Sequence, residues 1–266
     1  MTEIAAQLVK QLRDRTGAGM MECKRALQET GGDLEAARTL LREKGLAAAG
    51  KRADRTTSEG LVGVIVEPGA ASIVGIGCET EPVSKNDAFQ AFGETVLRAV
   101  HADGPAAVEA LETERVELVA QLGENIVVVG AERCEGGTLG AYVHPPANKI
   151  GVLVQLDGGS EELARRLAMH ISFAAPEYTT RDDVPAATLD AERRVYLNSD
   201  EVQGKPEGAR EQIVEGMLGK RFYAAAPGGV LVDQPSIHDT GKTVGALLVE
   251  AEATVRGFSR ITVSGS

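Results

Sequence analysis

The first third of the chain opens with an apolar pattern that has the period of an α-helix. Ile4, Leu8 and Leu12 recur every fourth residue, so they share one face of a first helix. A Gly-rich turn at residues 17–19 follows, and we expect Thr16 to cap a second helix. The pattern therefore predicts two amphipathic helices joined by a short turn.

Glycines delimit a third helix in the same segment. Gly31-Gly32 is expected to stop the second helix, Asp33 to cap the third, and Gly45 to end it. We predict a compact three-helix bundle over residues 1–54. Residues 51–58 are polar and lack apolar periodicity, and we interpret them as a linker to the rest of the chain.

Beyond this linker the period changes to the alternation that is typical of β-strands. Residues 61–66 and 72–78 flank the turn signal Pro68-Gly69-Ala70, which predicts a β-hairpin. A helix over about 84–101 follows on the period of its apolar residues. A strand over 125–131 is expected to complete this unit.

The second half of the chain repeats that order. Residues 138–144 and 150–156 predict a second hairpin, Ser160 is expected to cap a helix, and 254–263 is expected to supply a last strand. We predict an α+β fold in which two hairpin-plus-helix units form a pseudo-repeat, each with helices on one face of an antiparallel sheet.

Two further predicted helices, over 189–202 and 207–223, interrupt the second unit. Their apolar stripes can be buried only against each other or against a partner, which predicts an inserted helical hairpin at about 186–224. The predicted domains are the bundle at 1–54, a first core subdomain at 55–137 and a second at 138–266.

Charge and composition restrict the function. The net charge of −11 argues against non-specific binding of nucleic acid, which requires cations that neutralise phosphates. Residues 1–55 nevertheless hold 11 Lys and Arg against 8 Asp and Glu, so a net +3 segment precedes a net −14 body. This asymmetry suggests docking to an acidic protein face, with chance variation as the alternative. The sequence has no signal peptide pattern and no apolar run of about twenty residues, so we expect a cytoplasmic protein that does not bind membranes.

Catalytic chemistry is not indicated by the polar residues. The four histidines lack the spacing of a metal site, and the three cysteines are expected to be reduced and mostly buried thiols. Gly17-Ala18-Gly19 lacks the strand and the Gly-Lys-Ser/Thr of a phosphate loop. Cys78 next to Glu79 is better interpreted as a core thiol than as a nucleophile. We therefore predict a protein without catalytic residues, metal or cofactor.

Several segments, in chain order, resemble the bacterial elongation factor Ts family. They begin with TGAGMMECKRAL at 16–27, GGDLEAARTLLREKG at 31–45 and CETEPVSK at 78–85. Further matches are LGENI at 122–126, YVH at 142–144, KIGVLV at 149–154, AMH at 168–170, GKP at 204–206, IVEG at 213–216, QP at 234–235 and KTVG at 242–245. The resemblance spans nearly the whole chain.

The resemblance implies a guanine-nucleotide exchange factor for elongation factor Tu, with a ubiquitin-associated-like bundle at its start. It implies that the chain contacts the nucleotide domain and the β-barrel domain of the partner. His144 would face the β-barrel domain, and the alternative is that His144 is an ordinary surface residue. We also expect at least one of Met20 and Met21 to belong to the core of the bundle. The implied contact residues are Lys10, Arg13, Met20 and Met21 of the bundle, Thr80, Glu81, Pro82 and Val83 of a loop, Leu122 and Gly123 beside that loop, and His144.

The loop departs from the family at its centre. The family carries an aspartate and a phenylalanine that push towards the magnesium and phosphate site of the partner, whereas this chain has Glu81 and Pro82. Proline cannot fill a pocket shaped for a phenyl ring. The alternative that this departure favours is a binding-only paralogue or chaperone of elongation factor Tu, and a more distant alternative is a ubiquitin-associated-type adaptor for other proteins. Val127-Val128-Val129 also replaces polar and basic residues that are usual in the family, so we expect this strand either to be more buried or to form a self-association surface, as in a homodimer.

Overall fold

Two three-stranded antiparallel sheets form the centre of the molecule. The computed structural model describes residues 4–263, apart from the side chains of Leu46, Ala48 and Ala49, so the outermost three residues of the first and last predicted domains lie outside it. The strands are β1 (Glu59–Glu67), β2 (Ala70–Cys78) and β3 (Ile126–Glu135) in the first sheet, and β4 (Thr138–Val143), β5 (Ile150–Asp157) and β6 (Thr254–Thr262) in the second.

Both sheets have the same topology. The orders are β1-β2-β3 and β4-β5-β6, with every pair antiparallel, so each hairpin receives its third strand from far along the chain. The predicted α+β class and the pseudo-repeat are thus confirmed. The helices are α1 (Ala6–Thr16), α2 (Met20–Glu29), α3 (Leu34–Arg52), α4 (Glu81–Ser84), α5 (Asp87–Asp103), α6 (Glu112–Leu122), α7 (Glu161–Ala174), α8 (Ala186–Leu197), α9 (Asp200–Gln203), α10 (Glu207–Met217) and α11 (Val244–Glu250).

The alternation along β2 explains how four layers form. Ala71 and Ile73 face the second sheet, where they pack in one buried cluster with Leu153 of β5. Val74 and Ile76 point the other way and pack against α5 and α6. The second sheet uses its other face in the same manner to carry α7. The two sheets therefore pack face to face, with helices on both outer sides.

Glycines permit the closest approaches between these layers. A Cβ atom on Gly151 would lie 2.4 Å from the side chain of Val62, and one on Gly140 of β4 would lie 2.6 Å from the backbone of Ala164 in α7. Neither position can take a side chain unless the facing element moves.

The first three helices bury a cluster that includes Leu12, Cys23 and Leu27. Asp33 caps α3 as predicted, because its carboxylate accepts hydrogen bonds from two backbone N–H groups at 2.9 Å. Thr16 does not cap α2, which was a wrong prediction. It is the last residue of α1, and its hydroxyl donates to the carbonyl of Leu12 at 2.7 Å.

Gly45 does not end α3, contrary to the sequence prediction. The helix continues to Arg52, and Gly45 instead allows contact with α6, since a Cβ atom there would lie 2.5 Å from Cβ of Ala120. Arg42 adds an ion pair with Glu117 at 3.3 Å. The bundle thus packs directly on the core, and the linker is only residues 53–58. The domain boundary at residue 54 stays a prediction.

The inserted helices bury their stripes against each other and against neighbouring loops. Val214, Met217 and Leu218 are buried there together with Val202 of α9. The predicted first helix is interrupted after Leu197, so it forms α8 and α9. The hairpin packing predicted for this insertion is otherwise confirmed.

A buried hydrogen-bonded pair joins α7 to the loop before α11. His170 Nε2 lies 2.9 Å from Oε1 of Gln234, whose amide nitrogen donates to the carbonyls of Ala225 and Gly228 at 2.7 and 2.6 Å. Burial lowers the pKa of His170, which favours its neutral form. Two segments that resembled the family thus meet in the core.

We predict that Gly140→Ala lowers the free energy of unfolding by about 1–3 kcal/mol, because the new methyl group must displace the backbone of α7. Gly257→Ala is the matched control in the same sheet, since nothing lies within 4 Å of the added atom. Urea denaturation measures both. Equal stability of the two variants would contradict the close β4–α7 contact.

Candidate functional site

The loop that follows β2 is exposed and begins with one turn of helix. Thr80 precedes α4, and Pro82 lies in its first turn, where a missing N–H costs no hydrogen bond. Thr80, Glu81 and Pro82 are exposed, whereas Val83 is half-buried against the first-sheet core. Lys85 pairs with Glu81 at 2.7 Å, and its hydrogen bond lowers the pKa of this carboxylate. We call residues 79–84 the exchange loop, after the role that the family resemblance implies for them.

Two carboxylates fix the start of this loop to the end of α6. Glu124 accepts hydrogen bonds from the backbone N–H groups of Glu79 and Thr80 at 3.1 and 3.0 Å, and from the Thr80 hydroxyl at 2.5 Å. Glu79 accepts from the backbone N–H of Asn125 at 2.7 Å in return. Glu79, Glu124 and Asn125 thus form a reciprocal contact, which we call the junction.

The junction also holds the linker from the bundle. Asn125 is 2% exposed, and its side-chain amide donates to the carbonyls of Ala53 and Arg55 at 3.2 and 2.9 Å. Arg55 in turn approaches Glu79 at 3.4 Å. The end of β2, the end of α6 and the linker therefore meet at one point.

The sequence does not predict the contacts of the junction. Glu79, Glu124 and Asn125 lie inside segments that resembled the family, which was the only available signal. Nothing in their spacing shows that residues 45 positions apart exchange hydrogen bonds.

Leu122 and Gly123 lie beside the exchange loop, as expected. Leu122 ends α6, and Gly123 adopts a φ of +76° while its N–H donates to the carbonyl of Val119 at 3.0 Å. No atom lies within 4 Å of a Cβ built on Gly123, so the backbone conformation alone requires glycine there.

The bundle presents the other predicted contact residues. Lys10 and Arg13 are exposed one turn apart on α1, and Met20 and Met21 are 55% and 63% exposed at the start of α2. The expectation that one methionine belongs to the core is wrong, since other residues of α2 fill the core. The turn between these helices touches α6, because a Cβ atom on Gly17 would lie 2.5 Å from the side chain of Gln121.

His144 lies on the loop after β4 and is exposed. Its ring nitrogen Nδ1 lies 3.0 Å from the hydroxyl of Tyr142. The same loop reaches the first sheet, where Lys149 pairs at 2.6 Å with Glu59, the residue opposite Cys78 in β2. The loop of His144 is thus attached at the end of the sheet from which the exchange loop emerges.

The structure brings these residue groups together to different degrees. The exchange loop is joined by hydrogen bonds to Glu124 and Asn125, which directly follow Leu122 and Gly123 in the chain. The bundle turn contacts the last turn of α6. Residues of the His144 loop contact β1, but within residues 4–263 His144 itself has no hydrogen bond to the exchange loop. The groups surround the ends of β2 and α6.

Cys78, the last residue of β2, is buried next to the exchange loop. Burial, and after it the charge of Glu124, raise the pKa of the Cys78 thiol to about 12, and its Sγ donates to the carbonyl of Thr80 at 3.4 Å. Cys78 is therefore a neutral core thiol. Among the described residues, no group of three or more His, Cys, Asp and Glu is placed to bind a metal ion. None of the described helices has the length and apolar composition needed to cross a bilayer.

Comparison with known proteins agrees with the family resemblance described above. The family model described as elongation factor TS matches residues 79–265. Elongation factor Ts of Thioalkalivibrio sulfidiphilus is 43% identical over 275 residues, which cover 98% of this chain and 92% of that protein. Elongation factor Ts of Salmonella typhimurium and that of Salmonella newport are each 41% identical over 267 residues, which cover 99% of this chain and 92% of theirs.

The matched region contains β3, the second sheet, the exchange loop, the junction and the inserted helices, and the similarity to the relatives also extends through β1, β2 and the bundle. With a family model over more than half of its length and relatives above 40% identity, the chain belongs to the elongation factor Ts family, whose role in translation is nucleotide exchange.

Proposed function

We propose that this chain accelerates GDP release from elongation factor Tu by contacting its nucleotide domain with the exchange loop and the bundle. The observation that carries the proposal is the junction, which holds an exposed, charged loop in one orientation beside Leu122 and Gly123. A loop fixed before binding loses little entropy on binding, so more of the contact energy remains to displace the nucleotide. The chain performs no covalent step in this proposal.

The charge distribution supports a division between the two surfaces. The bundle offers Lys10 and Arg13 next to two exposed methionines, and thioether side chains adapt to irregular grooves. The exchange loop offers Glu81, whose charge is favoured by Lys85. We assign affinity mainly to the bundle and loss of GDP mainly to the exchange loop. His144 is proposed to face the partner's β-barrel domain.

Binding without efficient exchange is the second candidate function, and Pro82 is the observation that favours it. Pro82 is exposed on the exchange loop at the position where the elongation factor Ts family has an aromatic residue. Buried aromatic anchors at interfaces contribute about 2 kcal/mol or more. Homodimer formation and the cytoplasm as the place of action remain predictions alongside these proposals.

Release of a fluorescent GDP analogue from elongation factor Tu distinguishes exchange from binding alone. We predict that saturating chain accelerates release, and that Glu81→Asp with Pro82→Phe accelerates it further, by up to roughly thirtyfold, because an aromatic anchor is restored. Stability should change little since both side chains are exposed.

Val249→Phe adds the same ring at a site that is 78% exposed on α11 and serves as the matched control. If wild type binds elongation factor Tu but leaves release at its spontaneous rate, the binding-only function is correct. If the double variant releases GDP no faster than wild type, Pro82 is no handicap.

We predict that Met20→Ala with Met21→Ala weakens binding to elongation factor Tu by roughly tenfold, because two exposed thioethers leave the proposed interface. The saturating release rate should stay close to wild type. Titration calorimetry gives the affinity, and Val249→Ala is the control for loss of an exposed apolar side chain. Unchanged affinity of the methionine variant would remove the bundle from the interface.

We predict that Gly123→Val slows GDP release more than Gly136→Val does. The two glycines have nearly the same φ, +76° and +71°, so both variants carry a similar backbone strain of about 1–2 kcal/mol. Gly123 adjoins the exchange loop, whereas Gly136 lies in the turn before β4. Thermal denaturation checks that the two variants are folded, and equal release rates would argue against a contact at Gly123.

A further inference from the structure

Glu124 is the group on which the orientation of the exchange loop depends. Its two oxygens accept three of the four hydrogen bonds that join residues 79 and 80 to residues 124 and 125, and the fourth runs from the N–H of Asn125 to Glu79. At the other end of the loop, Val83 packs on the core and its carbonyl accepts from the N–H of Asn86 at 3.0 Å. The exposed residues Glu81 and Pro82 are thus held between two anchors.

We infer that Glu124 is a positioning residue for nucleotide exchange, which fixes the exchange loop through Glu79 and Thr80 and does not itself contact the nucleotide. This inference rests on the function proposed above. It also assigns Thr80 a role through Glu124, since the Thr80 hydroxyl donates to this carboxylate at 2.5 Å.

The physical argument is one of preorganisation. Without Glu124, the N–H groups of Glu79 and Thr80 would bond to water, and the first anchor of the loop would keep only the contacts of the Glu79 carboxylate with Asn125 and Arg55. The loop would still reach the partner but would sample other orientations, so contacts made only when GDP leaves would weaken most. Removal of Glu124 should therefore lower the saturating release rate more than the affinity.

The test compares Glu124→Ala with Glu124→Gln and Glu114→Ala in the full chain. The Gln amide oxygen can accept from both backbone N–H groups and its nitrogen can donate to the Thr80 hydroxyl, so this variant keeps the geometry without the charge. Glu114 lies in the first turn of α6, the helix that precedes Glu124, and its side chain has no hydrogen bond or ion pair among the described residues.

We expect Glu124→Ala to lower the saturating GDP-release rate roughly tenfold and the affinity for nucleotide-free elongation factor Tu by less than about threefold. Glu124→Gln should recover most of the rate, and Glu114→Ala should equal wild type. If Glu124→Gln falls as far as Glu124→Ala, the charge itself acts on the partner and the positioning role is wrong. Equal rates for Glu124→Ala and Glu114→Ala would overturn it as well.

A double-mutant cycle with Thr80→Val separates positioning from direct contact. If the hydroxyl acts through Glu124, Thr80→Val slows release in the wild-type chain and has no further effect in Glu124→Ala. Additive effects would mean that Thr80 contacts the partner independently, which contradicts the inference.

Amide hydrogen exchange on the free chain keeps this test separate from the proposed function. Glu124→Ala should raise the exchange rates of the Glu79 and Thr80 amides, while the amides of β1 and β2 stay protected. If wild type fails to accelerate GDP release, the proposed function is wrong, and unchanged amide protection in the variant would show independently that Glu124 does not hold the loop.

Discussion

Reciprocal hydrogen bonds between Glu79 and the Glu124-Asn125 pair hold together the surface that we propose for binding elongation factor Tu. Each carboxylate accepts backbone N–H groups of the opposite segment, so neither acid is left without compensation for its partial burial. The side-chain amide of Asn125 donates hydrogen bonds to two carbonyls of the linker, so the linker is attached at the same place. The orientation of the exchange loop, the end of α6 and the path from the bundle are consequently linked. A change in any of these segments is expected to affect the other two.

The rest of the fold keeps this junction rigid. The two sheets pack on each other through Ala71, Ile73 and Leu153, and their outer faces carry helices, so β2 is buried on both sides up to its last residue, Cys78. The chain therefore leaves a fixed strand immediately before the junction begins. On the other side, α6 packs on the first sheet and also on α3, where Gly45 meets Ala120. The exchange loop thus emerges between two elements that are themselves well packed, while its own tip stays in solvent.

Much of the fold could be predicted from local signals. Alternating residues around Pro68-Gly69 predicted the first hairpin, and Asp33 and Ser160 were identified correctly as helix caps. The sequence-based predictions were wrong where packing against a distant segment of the chain determines the local structure. The sequence predicts a helix end at Gly45, but this glycine lies inside α3 and contacts Ala120 of α6, 75 positions later in the chain. The exposure of both methionines and the hydrogen bonds of Glu124 likewise depend on tertiary packing. The contact residues themselves came from family resemblance, and their roles remain proposals.

We propose that this chain favours the nucleotide-free state of elongation factor Tu, and thermodynamic linkage makes this preference directly measurable. A factor that weakens GDP binding must itself bind the GDP form more weakly than the empty form, by the same factor. Titration calorimetry of the wild-type chain against both forms of elongation factor Tu gives this ratio. We predict that the chain binds the nucleotide-free form more tightly than the GDP form. The ratio of these two affinities should equal the factor by which the chain weakens GDP binding. Equal affinities for the two forms would contradict it.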